Sequence, residues 1–212
     1  MKEICKNSLI KIDKLHARME MLTLSARYEI KNFIETGTHL GETILFMADK
    51  WNFDSIHSIE ISEFYINFIK ENFLKAAESR NINVSNVCIE KGDSVKVLPL
   101  ILANIEGRSI FWLDAHCSAG NTERHSDYDC TILKELEIIK SSPIKDNVIV
   151  IDDINCCVAG ISDYPKVSEI KEAILSINKD YLITVKYDVL FAEVVSAAWR
   201  TADVPIMEKT DH

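Results

Sequence analysis

The sequence predicts an α/β fold: a doubly wound, mostly parallel sheet with one antiparallel strand at its edge. Three observations predict it. Five short strand-like runs alternate with segments of helical periodicity, the pattern of a parallel sheet covered on both faces. Two of those runs, Ser109 to Leu113 and Asn147 to Ile151, are apolar after their first residue, as central strands require. The last two strand-like segments, Tyr181 to Tyr187 and Leu190 to Val195, are separated by Asp188 and Val189 alone. That gap is too short for a helical crossover, so the pair forms an antiparallel hairpin at one sheet edge.

The elements follow in order. Leu9, Ile12, Leu15, Met19 and Leu22 recur at steps of three and four and predict a helix from Ser8 to Tyr28. A strand opens at Asn32 to Ile34, and Glu42 to Asp49 is helical. Ser55 to Ile59 is the second strand, and Ser62 to Arg80 a long amphipathic helix with Ser62 at its N-cap. Val84 to Glu90 is a strand and Ser94 to Ala103 a helix. After the strand at Ser109 to Leu113 comes a helix from Thr131 to Lys140, stopped near Pro143. The strand Asn147 to Ile151 and the helix Ser168 to Ile177 lead into the hairpin. The expected organisation is an N-terminal helical cap over residues 1–30, one sheet domain over 31–200 and a tail over 201–212.

Composition narrows the function. A chain of 212 residues, 47% apolar and 27% charged, is the size and make-up of one globular domain. A net charge of −9 argues against nucleic acid held on a broad basic surface, though not against a small anionic substrate. No apolar run approaches the ~18 residues of a membrane span. The N-terminus has no secretory apolar segment, which gives the expectation of a cytoplasmic protein. The six cysteines include no C-x-x-C pair, and the adjacent Cys156 and Cys157 have a poor spacing for zinc or a disulfide. They read as reduced thiols.

In open α/β sheets ligands bind outside the carboxyl ends of the strands. The first strand delivers Glu35, Thr36, Gly37, Thr38, Gly41 and Thr43; the second, Glu60 and Ile61; the third, Gly92, Asp93 and Ser94; the fourth, Asp114, Ala115 and His116; the fifth, Asp152 and Asp153. Gly37 and Gly41 make a G-x-x-x-G turn instead of G-x-G-x-x-G, which disfavours a pyrophosphate. S-adenosylmethionine carries no phosphate. Glu35 can neutralise its ammonium and loop N–H groups can take its carboxylate. Alone, the motif fits a plain helix-start turn equally well.

Glu60 lies where a carboxylate accepts hydrogens from both ribose hydroxyls, unless it is only a solvated cap. Asp93 and Ser94 fall where an adenine edge reaches, and either also suits the N-cap of the next helix. Asp114, Asp152 and Asp153 would converge at two adjacent central strands and repel. An Mg²⁺ or Ca²⁺ ion held by their oxygens resolves that; so does capping a helix, or pairing with Lys or Arg. His116 and His125 flank a polar loop and are candidate proton acceptors, or simply surface residues.

Glu35-x-Gly37-x-x-x-Gly41, Glu60-Ile61, Gly92-Asp93-Ser94, Leu113-Asp114 and Ile151-Asp152-Asp153 together resemble the successive motifs of a class I S-adenosylmethionine-dependent methyltransferase, over about residues 30–196. Within that class the pattern is similar to the cation-dependent O-methyltransferases, including the catechol and macrocin O-methyltransferase groups. The resemblance implies a Rossmann-like domain with Glu60 on the ribose, Ser94 near the adenine, and Mg²⁺ or another divalent cation on Asp114, Asp152 and Asp153. It implies O-methylation of a small-molecule hydroxyl, with a homodimer as one possibility; the acidic charge and the lack of a long apolar segment give the expectation of no nucleic acid or membrane partner. The catechol enzyme has a catalytic lysine where this chain has Cys117, so His116, beside Asp114, becomes the candidate base by default. A metal-independent N- or O-methyltransferase and a non-catalytic cofactor-binding protein remain the alternatives.

Overall fold

A computed structural model of the chain describes residues 2–115, 130–158 and 164–195, with residues 2–13 as backbone only. The elements are α1 (Lys2–Tyr28), β1 (Asn32–Thr36), α2 (Glu42–Lys50), β2 (Ser55–Glu60), α3 (Glu63–Ser79), β3 (Val87–Lys91), α4 (Ser94–Leu102), β4 (Ser109–Leu113), α5 (Ile132–Ser141), β5 (Val148–Ile151), α6 (Ile154–Val158), α7 (Val167–Ile177), β6 (Tyr181–Lys186) and β7 (Val189–Val194). The seven strands order as β3-β2-β1-β4-β5-β7-β6. Five run parallel, and β7 pairs antiparallel with both β5 and β6. The doubly wound architecture is as expected, and the position of the reversed strand is refined: β7 lies one place in from the edge and β6 forms the edge itself.

The alternation of side chains along the strands divides the core into two layers. Phe33, Ile56, Ile110, Trp112 and Val150 point to the side covered by α1, α2 and α3. Ile34, Ile59, Phe111, Leu113 and Ile151 point to the side covered by α4, α5 and α7. β1, β4 and β5 are buried along their whole length, and β4 and β5 accordingly read as apolar runs.

Three local features differ from the sequence pattern. The hairpin turn is Tyr187 and Asp188, both at positive φ (58° and 61°), because Lys186 pairs with Val189 and leaves a two-residue loop of the type that matches strand twist. The short helix α6 was not foreseen; five residues carry no readable period. Ser62 stands at the N-cap of α3, but its side chain accepts no cap hydrogen bond.

The largest difference concerns α1. Among its residues 14–28 the buried apolar ones are Ala17, Met21 and Leu24, while Leu15 and Met19 are 46% and 52% exposed. The helix is thus rotated away from the apolar repeat, and Lys14 and Arg18 share the inward side with Ala17. Leaving a Leu and a Met half exposed forfeits about 1 kcal/mol each. Leaving buried carboxylates without a cation costs several kcal/mol, so the charges favour the same rotation as the burial of Met21 and Leu24.

Gly37 sits where β1 and β4 diverge in direction of winding. A Cβ there would lie 2.4 Å from the Asp114 carbonyl oxygen, and φ is already +87°. At Gly41, φ +77°, a Cβ would meet only the Phe73 side chain, at 3.3 Å. Gly37→Ala is therefore expected to lose about 2–4 kcal/mol in urea denaturation and Gly41→Ala about half as much. Equal losses would mean that the backbone contact between the two loops is not the constraint.

Candidate active site

The strand ends are levelled by hydrogen bonds that continue the ladder one residue further. Gly37 N–H donates to Ile59 O (2.8 Å), Gly92 N–H to Glu60 O (2.9 Å), Asp114 N–H to Thr36 O (3.0 Å) and Asp152 N–H to Leu113 O (3.1 Å). The acids after five strands therefore begin at one level of the sheet, with the winding reversing between β1 and β4. This is the crevice in which doubly wound folds bind ligands.

Glu35 is buried on the side facing α1 and α2, opposite Ser58 in register. Thr38 Oγ1 donates to Ser58 Oγ (2.6 Å), and Ser58 Oγ donates to Glu35 Oε2 (2.5 Å). Burial pushes the Glu35 carboxyl up to about 8, helped by Asp114 and Glu60 and opposed by the Ser58 bond and Arg18. Near neutral pH the group carries a proton, and a cation arriving beside it favours the carboxylate. Thr43, at the start of α2, accepts a hydrogen bond from Arg18 Nε (3.2 Å), and the same guanidinium lies 3.7 Å from Glu42.

Glu60 ends β2 as a buried carboxylate. His39 N–H donates to Oε2 and Ser62 N–H to Oε1, both at 2.8 Å. The His39 ring packs against Tyr65, centroids 4.5 Å apart. Ile61 connects Glu60 to Ser62. Asp93 caps α4 by accepting from Val95 N–H (2.9 Å), so its capping reading holds. The Ser62 and Ser94 hydroxyls are buried and have no hydrogen-bond partner among the described residues. Buried polar atoms of this kind call for a ligand or a water. They stand beside Glu60 and Asp93, the two positions expected to hold a nucleoside.

On the other side of the crevice, Lys14 Nζ lies 2.5 Å from Asp152 Oδ2 and 3.7 Å from Asp114 Oδ2. Asp152 is 2% exposed, and its second oxygen accepts from Asp153 N–H at 2.9 Å. Asp153 adopts a left-handed φ of 52°. Burial opposes the Lys14 charge, but Asp114, Asp152 and Asp153 outweigh it and hold the ammonium well above its ordinary range. Asp188, from the hairpin turn, joins this acidic region. Burial pushes its carboxyl up, as do Asp153 and Asp152, and the Asn155 N–H bond opposes the shift.

This geometry corrects the expected metal site. Asp114, Asp152 and Asp153 do not bring three oxygens within 4.8 Å of one another; among the described residues only His57, Cys88 and Glu90, on β2 and β3, form such a group. A cation already bridges two of the three acids, and it is an ammonium. The donor set as it stands does not fit a divalent ion.

Lys14 and Arg18 are the site residues that sequence reasoning missed. Their spacing of four on one helix was the available signal, but it marks a face and not what the face meets. The candidate base His116, the histidine His125 and Cys117 lie outside the described residues. Burial pushes the Cys130 thiol up to about 12 and the Cys157 thiol up to about 11, so neither is a ready nucleophile.

No family model matches this chain, and no curated protein matches it. Solved structures do. The O-methyltransferase from Bacillus cereus in complex with SAH matches over 89% of this chain and 90% of its own, with a TM-score of 0.58 and 15% identity. The O-methyltransferase TomG from Streptomyces achromogenes, involved in tomaymycin synthesis and solved in complex with SAM, matches over 85% and 80%, with a TM-score of 0.55 and 14% identity. SAH-bound PaMTH1, a methyltransferase from Podospora anserina, matches over 85% and 78%, with a TM-score of 0.52 and 14% identity. At such identities the likeness is one of fold. The chain has the Rossmann-like fold of these methyltransferases over most of its length. No helix among the described residues is long and apolar enough to cross a membrane.

The Glu35 shift predicts a pH dependence. An acid whose folded pKa, about 8, lies above its ordinary 4.5 keeps its proton only in the folded chain, so stability falls as pH rises between those values. Urea denaturation should show Glu35→Gln losing about 2–3 kcal/mol less than the parent chain between about pH 6 and about pH 9. Identical slopes would mean that Glu35 is already ionised in the fold.

Proposed function

We propose that the chain is an S-adenosylmethionine-dependent O-methyltransferase acting on a small-molecule hydroxyl. The observation that carries this reading is Glu60, buried and aligned by one backbone N–H on each oxygen, with the buried Ser62 and Ser94 hydroxyls, which lack partners among the described residues, following β2 and β3. Each Glu60 oxygen keeps a further lone pair for a ribose hydroxyl. Ser62 and Ser94 find partners in the same nucleoside. The occurrence of SAM or SAH in three solved structures of this fold adds support.

When bound, S-adenosylmethionine supplies a methyl on a sulfonium; the carbon–sulfur bond breaks as the carbon–oxygen bond forms, and sulfur keeps the electron pair. The chain's part is binding and placement. Arg18 and the first turn of α2 attract the carboxylate end, with Glu35 beneath them for the ammonium. Asp114, 24% exposed at the end of β4, takes the proton of the acceptor hydroxyl. The cation-assisted version, with Mg²⁺ on Asp114, Asp152 and Asp153, is not adopted, because Lys14 already lies on two of those acids. The net charge of −9 favours a small acceptor over a polyanion, and free thiols at Cys88, Cys130, Cys156 and Cys157 accord with a reducing, cytoplasmic setting.

Isothermal titration with S-adenosylhomocysteine tests the reading. Saturable binding is expected, weakened about tenfold or more in Glu60→Ala, the worth of a charged hydrogen bond pair. No heat at millimolar ligand would overturn the proposal.

A further inference from the structure

We infer that the chain carries its own cation: the Lys14 ammonium takes the place between Asp114 and Asp152 that a divalent ion would occupy, so the site works without a metal. This rests on the methyltransferase reading for its purpose, but not for its geometry. Three observations support it. One atom, Lys14 Nζ, is within ion-pair distance of two carboxylates from different strands. Asp152 is almost fully buried and its second oxygen is turned to its own chain, so Lys14 is the charge that balances it. And Lys14 lies on the inward face of α1, with Ala17, Met21 and Leu24, while Leu15 and Met19 are about half exposed.

The substitution changes the chemistry at the acceptor. A divalent ion would bind the acceptor oxygen directly and acidify it strongly. An ammonium is a hydrogen-bond donor with a single charge. It balances Asp152 and holds Asp114 in place, while the hydroxyl proton passes to Asp114. Lys14 is thus a positioning residue acting through the two aspartates, and methyl transfer should be insensitive to chelators. A lysine also cannot be lost to dilution or exchange, so the site's positive charge becomes a property of α1 docking.

The test is a titration with Mn²⁺ alone, read by electron paramagnetic resonance, on the full chain and on Asp152→Asn, Lys14→Met, Lys14→Arg and Lys14→Met/Asp152→Asn. The parent chain and Lys14→Arg should take up no Mn²⁺ at this site. Lys14→Met should gain a single Mn²⁺ site at least about tenfold tighter than any in the parent, because removing the ammonium leaves two carboxylates facing one position. Adding Asp152→Asn should abolish it. A merely structural lysine would not create a metal site when removed. Lys14→Met should also have a Tm lower by about 4–10 °C, partly restored by Mn²⁺. If it does not fold, Mn²⁺ present during refolding must rescue it. The inference is overturned if the parent chain binds Mn²⁺ in a manner lost in Asp152→Asn, or if Lys14→Met gains no site and no rescue. S-adenosylhomocysteine titration of the same samples reports separately on the methyltransferase reading, since its failure would leave the metal result standing.

Discussion

Buried negative charge at the carboxyl ends of the strands is the constraint on which the rest of this structure depends. Five parallel strands finish at one level, and their acids cannot all be ionised in a dry crevice without compensation. The chain uses three different remedies. Glu60 is held by two backbone N–H groups. Glu35 keeps a proton and takes a hydroxyl partner. Asp152 and Asp114 receive an ammonium from a helix far away in sequence. The three remedies also sort the acids by use: an aligned acceptor, a neutral group ready to respond to a cation, and a paired charge.

The backbone makes these remedies possible. Gly37 brings the loop after β1 against the carbonyl of Asp114, so the loops on the two sides of the winding reversal touch with no side chain between them. Thr36 reinforces the contact, since both its carbonyl and its hydroxyl accept from Asp114 N–H, at 3.0 and 3.3 Å. The left-handed residue His39 then turns its N–H onto Glu60. A short stretch of chain thereby fixes the cofactor side of the crevice relative to the acceptor side.

Much of this was legible in the sequence, for local reasons. Central strands are buried on both faces, so β4 and β5 read as unbroken apolar runs, and acids that follow such runs mark the ligand edge. Asp93 was legible both as a site residue and as a cap, because an Asp before a helix can satisfy its first N–H groups wherever it lies. The rest depended on contacts between distant residues. The Ser58 to Glu35 bond needs the parallel register of β1 and β2, and the Lys14 to Asp152 pair joins residues 138 apart. Periodicity registers where apolar residues recur, so on α1 it marked Leu15 and Met19 and passed over the two cations on the inward side. Tyr187 is no turn former, and only the pairing of Lys186 with Val189 places it in the loop.

Helix α1 therefore belongs to the site as much as to the core, and the division at residue 30 does not separate a cap from a working domain. On one turn it places Ala17 against the sheet, and on neighbouring positions it sends Lys14 to Asp152 and Arg18 to Thr43. Further along, Tyr28 and Arg27 both bond Glu193 on β7, at 2.5 and 3.0 Å. The helix is thus tied near its middle to the ligand edge and at its C-terminal end to the hairpin side of the sheet. Its apolar contacts, Ala17, Met21 and Leu24, already favour this rotation over one that buries Leu15 and Met19. The ion pairs reinforce that preference, because any other rotation strands an almost fully buried aspartate. Fold specificity and site chemistry are in this way set by the same few charges, and a change that weakens one must weaken the other.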